Sequence, residues 1–169
     1  DESDEMLSMG FKDDLEFIIK SASKEKQILL FSATMNSKVD AVAKKYMKNS
    51  LKISVASVNR AAENVDHIFY MVQARDRYEV VKRIADMNPD IYGIVFCRTR
   101  RETKEVANKL MNDHYNADTI HGDLTQNERD DVMKRFRKRK LQILVATDVA
   151  ARGLDVEELT HVINYNLPD

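Results

Sequence analysis

Glycine, proline and cysteine are scarce in this 169-residue sequence, with four, two and one of each. So few chain breakers leave little room for long linkers or low-complexity tracts. The single cysteine, Cys97, cannot form an internal disulfide, and nothing asks for an oxidising compartment, so a cytoplasmic setting is expected. No run of about 18 apolar residues occurs, which excludes a transmembrane helix. The acidic opening DESDEMLS carries no signal-peptide core. A phosphate-cradling G-x-x-x-x-G-K-[ST] loop is absent. The histidines (67, 114, 121 and 161) and Cys97 lack metal-ligand spacing, and no Ser/His/Asp triad can be argued. No repeat of 20–50 residues is visible.

What is present is a globular composition, 43% hydrophobic and 33% charged. Net charge is −1, from 27 basic and 28 acidic residues. That balance conceals segregation. Residues 1–16 hold Asp1, Glu2, Asp4, Glu5, Asp13, Asp14 and Glu16 against Lys12 alone. Residues 129–140 hold Arg129, Lys134, Arg135, Arg137, Lys138, Arg139 and Lys140 against Asp130 and Asp131. A basic stretch inside a neutral chain points to a local anionic partner, with a solvated helix face as the plain alternative.

Strand and helix signals alternate along the chain. Phe11, Leu15, Ile18 and Ile19 mark one helical face. Gln27–Phe31 is an apolar run suited to a buried strand. Val39, Val42, Ala43, Tyr46 and Met47 repeat helical spacing, with Asn36 or Ser37 as N-cap. Leu51–Val55 reads as another strand, and residues 56–66 as a linker. From His67 the alternation is cleaner. Strands are predicted at His67–Val72, Tyr92–Phe96, Ala117–Ile120, Gln142–Ala146 and His161–Tyr165. Helices are predicted over 75–87, 100–113 and 126–138. The last two open on Thr99-x-x-Glu102 and Thr125-x-x-Glu128, the capping-box pattern. Continuous apolar strands between amphipathic helices predict a parallel sheet covered on both faces. Residues 67–169 therefore read as a doubly wound α/β domain. Residues 1–55 carry too few elements to bury a core of their own, and read as part of another domain.

Ligands of such sheets gather outside the carboxyl ends of the strands. Three loops are expected there: Cys97–Arg100, His121–Thr125 and Thr147–Asp155. Each opens a helix or helical turn, whose unpaired N–H groups favour phosphate. Arg98, Arg100 and Arg129 add formal charge, and Gly122 lets a backbone N–H approach a ligand closely. A row of such sites suits a phosphodiester backbone, which it would position without reading bases. Taken singly, Thr99 and Thr125 read first as caps and Gly122 as a turn, and it is their coincidence on one edge that points to a ligand. The carboxylates of Asp1-Glu2-Ser3-Asp4 could hold a Mg²⁺ through water and orient a second water.

These motifs together resemble one family. Asp1-Glu2-Ser3-Asp4 and its continuation Glu5–Phe11 resemble motif II of the DEAD-box ATP-dependent RNA helicases. Ser32-Ala33-Thr34 resembles motif III, and Ile94–Arg100 resembles motif IV. Gln126-x-x-Arg129, following His121-Gly122-Asp123, resembles the glutamine–arginine motif. ATDVAARGLD, Ala146 to Asp155, is similar to motif V nearly letter for letter. The resemblance implies two RecA-like domains that bind ATP and RNA across a cleft. It implies that Asp1 holds the Mg²⁺ of MgATP through water and that Glu2 orients the attacking water. Asp4 would tie motif II to Ser32 and Thr34. Gly153 and Asp155 would face the nucleotide. Arg98, Thr99, Gly122, Asp123, Gln126, Arg129 and Thr147 would lie along the RNA backbone or hold the loops that do.

Ser3 stands where the family has alanine. The motifs present run from II to V, so the resemblance implies an internal piece. It would comprise the C-terminal part of RecA-like domain 1 (1–55), a linker (56–66) and a second RecA-like domain truncated before motif VI (67–169). Such a piece is expected not to hydrolyse ATP alone, since the P-loop and the arginines of motif VI are missing from it. Residues 1–55 are expected to expose apolar strand edges, with self-association or disorder there. Two other readings stay open: a non-catalytic module that grips an RNA backbone, and a DNA-directed helicase of the same superfamily.

Overall fold

The computed structural model describes residues 1–55, 65–151, 153–154 and 156–167. Most of the expected linker therefore lies outside the described residues. The chain divides into two compact units, Asp1–Asp66 and His67–Asp169.

The described residues of the first unit form three helices: α1 (Ser3–Ser8), α2 (Lys12–Ser21) and α3 (Ser37–Tyr46). Asn36 caps α3, its side-chain oxygen accepting the N–H groups of Lys38 and Val39 at 3.0 and 3.1 Å. Leu7, Val39 and Val42 form a small buried cluster, with Leu15, Leu30 and Tyr46 packed on it. Lys45 reaches across to both carboxylate oxygens of Glu16 at 2.9 Å. The α1 helix carries no periodic apolar signal and was not expected from the sequence. The two strands predicted in this unit, 27–31 and 51–55, are extended but unladdered. A strand needs a ladder of partners along its N–H and C=O groups, and among the described residues neither segment joins a sheet. Leu29 and Phe31 are consequently 67% and 60% exposed, and Leu51, Ile53 and Val55 are more so. The same correction applies to His67–Val72 in the second unit, where Ile68, Phe69 and Met71 face solvent.

The second unit is a four-stranded parallel sheet in the order β2-β3-β1-β4. Its strands are β1 (Gly93–Cys97), β2 (Ala117–Ile120), β3 (Ile143–Thr147) and β4 (His161–Asn164). The helices are α4 (Arg77–Met87), entered through a 3-10 turn at Ala74–Asp76, α5 (Arg100–Asn112), α6 (Gln126–Arg137) and the short α7 (Asp148–Ala151). Strand alternation sends side chains to both faces. Val95, Cys97, Ile143 and Val145 pack under Tyr78, Val81 and Ala85 of α4 and Val106, Ala107 and Leu110 of α5. Ile94, Leu144, Ala146 and Ile120 pack under Val132, Met133 and Phe136 of α6. Both faces are thus covered, which explains why β3 is buried along its whole length and apolar up to Thr147. Register is tight between β1 and β4. A Cβ on Gly93 would sit 2.7 Å from the carbonyl oxygen of His161, so only glycine allows this approach.

Candidate functional site

All four strands run the same way, so all four carboxyl ends, and the loops that leave them, share one edge of the sheet. After β1, Arg98 and Thr99 turn the chain into α5. Thr99 Oγ1 accepts the N–H of Glu102 at 3.2 Å, capping the helix. The reciprocal half of the expected capping box is diverted. Glu102 Oε1 instead accepts from Nδ2 of Asn166 at 3.1 Å. Asn166 Oδ1 in turn accepts the N–H of Arg98 at 3.0 Å, and Arg98 Nη2 donates to the carbonyl of Leu167 at 3.1 Å. The segment after β4 is therefore bonded to the loop after β1. Sequence reasoning missed Asn166, because a polar residue past the last strand carries no periodic or capping signal. Only its place at a parallel strand's carboxyl end could have found it.

After β2 come His121, Gly122 and Asp123. His121 is buried, and its Nδ1 accepts the N–H of Asp123 at 3.2 Å. Burial first, and then the charge of Lys104, lowers the imidazole pKa, which keeps the ring neutral and able to accept. Asp123 is paired with Lys104 at 3.0 Å and with Arg100. Those two hydrogen bonds, Lys104 first, hold its carboxyl below the usual carboxylate range. Asp123 thus anchors its loop to α5. Gly122 is exposed, and a Cβ there would meet only Arg100 Cδ at 4.0 Å. Its backbone is open to an approaching group.

Helix α6 opens with a complete capping box between Thr125 and Glu128. Gln126 Nε2 donates to Asp130 at 2.8 Å. The Arg129 guanidinium donates to the carbonyl of Ala150, tying α6 to α7. Thr147, buried at the end of β3, accepts the N–H of Ala150 at 3.4 Å through Oγ1. Gly153 adopts φ 68°, in the left-handed region. Asp155 lies outside the described residues. The seven residues expected along a nucleic-acid backbone share this edge, but divide by task. Thr99, Asp123, Arg129 and Thr147 are committed to caps and loop ties, whereas the backbone at Gly122 faces outward. The basic stretch does not join them, Arg129 excepted. The 12 residues of α6 carry the chain about 18 Å, and Arg137–Lys140 emerge at the opposite edge, where β3 begins.

In the first unit, the buried Asp4 accepts from both the hydroxyl and the N–H of Thr34, at 2.7 and 2.9 Å, through Oδ2. The Thr34 hydroxyl is the largest cause holding the Asp4 carboxyl down to about 2, against an opposing push from burial. Ser32 Oγ donates to the Thr34 carbonyl at 2.7 Å, bracing the same turn. Ser3 adds a second tie. Its N–H and its hydroxyl both donate to the carbonyl of Phe31, at 3.2 and 3.1 Å. Asp1 and Glu2 are exposed, with Asp1 Oδ1 accepting the N–H of Glu2 at 2.8 Å. Glu2 is left-handed, at φ 49°. Among the described residues no three His, Cys, Asp or Glu side chains converge on a metal position. A single exposed carboxylate such as Asp1 is the kind of donor that holds a Mg²⁺ keeping most of its waters.

Comparison with known proteins accounts for this arrangement. A family model described as DEAD/DEAH box helicase matches residues 1–42, and one described as helicase conserved C-terminal domain matches residues 76–169. The chain is 45% identical over 168 residues to the probable ATP-dependent RNA helicase MJ0669 of Methanocaldococcus jannaschii, covering 99% of this chain and 44% of that protein. It is 42% identical to the ATP-dependent RNA helicase CshA of Listeria monocytogenes, covering 99% of this chain and 32% of that one. Among solved structures it resembles Dbp5 of S. cerevisiae bound to RNA and ADP BeF3, with a TM-score of 0.87 and 27% identity, over 99% of this chain and 43% of that one. The crystal structure of a DEAD box protein from Methanococcus jannaschii matches with a TM-score of 0.60 and 45% identity, over 99% of this chain and 45% of that one. The chain belongs to the DEAD-box RNA helicase family, and its α/β fold is RecA-like. It spans less than half the length of these relatives. Among the described residues no helix is long and apolar enough to cross a membrane.

Proposed function

We propose that this chain supplies part of an RNA-stimulated ATPase that separates short duplexes in the cytoplasm, with the second unit gripping one RNA strand by its backbone. The observation that carries this is the shared edge. The loops after all four strands lie on it, with Gly122 open and Arg98 beside Asn166. Such a rim offers N–H groups and guanidinium charge, as sequence-independent backbone binding requires. Support also comes from the relatives, named as ATP-dependent RNA helicases, and from Dbp5, solved with RNA and a nucleotide analogue.

In this reading Asp1 holds the hydrated Mg²⁺ of MgATP, and that ion would supply charge neutralisation at the phosphates. Glu2 orients a water. Asp4, Ser32 and Thr34 transmit the state of motif II to motif III through the Asp4–Thr34 bonds. Gly153 and Asp155 are assigned to nucleotide binding by their motif. Arg98, Gly122 and Gln126 line the RNA path, with Thr99, Asp123, Arg129 and Thr147 holding its loops. The chain by itself contains no P-loop sequence and does not hydrolyse ATP. The exposed Leu29, Phe31, Leu51 and Ile53 support self-association through residues 1–55, which light scattering reads directly.

The test is fluorescence anisotropy of the purified chain with labelled single-stranded RNA and the matched DNA across a salt series. Affinity is expected to be weak, steeply salt-dependent and higher for RNA. Gly122→Ala and Arg98→Ala should lower it equally for all RNA sequences. No RNA binding at low salt, or undiminished binding by both variants, would sink the reading. RNA-stimulated ATPase activity of the chain alone would overturn its predicted inactivity.

A further inference from the structure

The second unit has a basic end as well as a rim, and the two are on opposite edges of the sheet. We infer that the basic end is a docking surface for an acidic segment of a partner protein. Helix α6 closes there with the N–H groups of Arg139 and Lys140 donating to the carbonyls of Phe136 and Arg135, at 2.8 and 3.0 Å. That closure needs a left-handed residue, normally glycine, and the chain places Arg139 in it at φ 54°. Glu158, on the loop before β4, is left-handed too, at φ 58°. These two are ion-paired with each other, and the Arg139 guanidinium lies 4.6 Å from the ring centre of Tyr92. Tyr92 in turn packs on Phe136 with ring centres 4.6 Å apart. Two unfavourable backbone conformations are thus retained where they hold one charged side chain rigidly over a buried ring.

Beside this pair lies a cavity of about 620 Å³, lined by Tyr92, Arg137, Arg139, Val156, Glu157 and Glu158. Lys134, Lys138 and Lys140 are exposed and form no ion pair among the described residues. Arg135 is excluded from the surface charge by its pairs with Asp118 and Asp131. The mixture decides the class of ligand. Three lysines without ion pairs, Lys134, Lys138 and Lys140, flank the Arg139–Glu158 pair, so the end is positive yet not uniformly so. A phosphodiester carries charge at every residue and would meet Glu157 and Glu158. The Tyr92 and Phe136 rings are buried there, Tyr92 under Arg139, and offer no stacking platform for a base. A peptide can vary sign along its length, with acids on the lysines, a neutral or basic group at Glu157 and an apolar side chain against Val156.

The test uses the whole chain and a fluorescein-labelled peptide of repeated Glu-Leu-Asp-Gly units, beside the same peptide with lysine for both acids. The acidic peptide alone should bind. The double variant Lys138→Glu/Lys140→Glu should weaken it by about tenfold or more. Single-stranded RNA affinity should be unchanged by that variant. Circular dichroism checks that it folds, as two exposed, unpaired lysines predict. If the acidic peptide does not bind, or binds the double variant equally, the inference fails. A fall in RNA affinity in that variant would assign the basic end to nucleic acid and overturn it as well.

Discussion

Asn166 accepts the backbone N–H of Arg98 at 3.0 Å across 68 residues of sequence, and with its other amide atom donates to Glu102. One side chain thus joins the ends of β4 and β1 to the first turn of α5. If the rim grips RNA, Asn166→Ala should cut affinity severalfold by releasing the Arg98 loop. Stability should fall by only about 1 kcal/mol, since the site is at the solvent edge. Asn166→Asp sets a carboxylate against Glu102 and should be worse than alanine. Anisotropy and thermal melts on the same samples separate the two effects.

Gly93→Ala should destabilise the second unit by about 1–3 kcal/mol, because the new methyl would collide with the backbone of His161 rather than with a mobile side chain. Urea titration followed by circular dichroism reads this. An unchanged midpoint would mean that β1 and β4 separate easily.

The Asp4 carboxyl titrates at about 2 when folded, below its ordinary 3.8. A depressed folded value means that its stabilisation is fully present above pH about 4 and is lost as pH falls from there through about 2. Thr34→Val removes the donor that contributes most. The Asp4 pKa should then rise, and the acid limb of the first unit's stability should move to higher pH. Carboxyl-carbon NMR of Asp4 in both proteins checks the direction.

Cys97 ends β1 with its side chain buried, and burial, reinforced by the charge of Glu102, pushes the thiol up to about 12. It remains protonated at neutral pH and should resist iodoacetamide in the native protein. Unfolding in urea should restore ordinary reactivity, as mass spectrometry would show.

The elements of the second unit were largely legible. Ala117–Ile120 matches its expected bounds, and the strands at 92, 142 and 161 shift by a residue or so. Thr125 caps as its pattern predicts. These signals are local, being an apolar run, a period, or a hydroxyl three residues before a glutamate. The diverted Glu102, the Asn166 clamp and the Arg129–Ala150 tie were not legible, because each joins segments that only the parallel sheet brings together. The unladdered segments at 27, 51 and 67 mark the same limit, since an extended apolar run becomes a strand only when another segment pairs with it.

By itself, then, the order of residues determined the longer helices, the apolar strands of the second unit and the motifs that identify the family, because periodicity, capping and short motifs act over a few neighbours. Tertiary structure alone decided which loops share an edge, which polar side chains are consumed in holding them, and that the basic run pairs an arginine with a glutamate far from that edge. Hydrogen bonds and ion pairs between distant segments depend on strand order and register, and no local pattern encodes those.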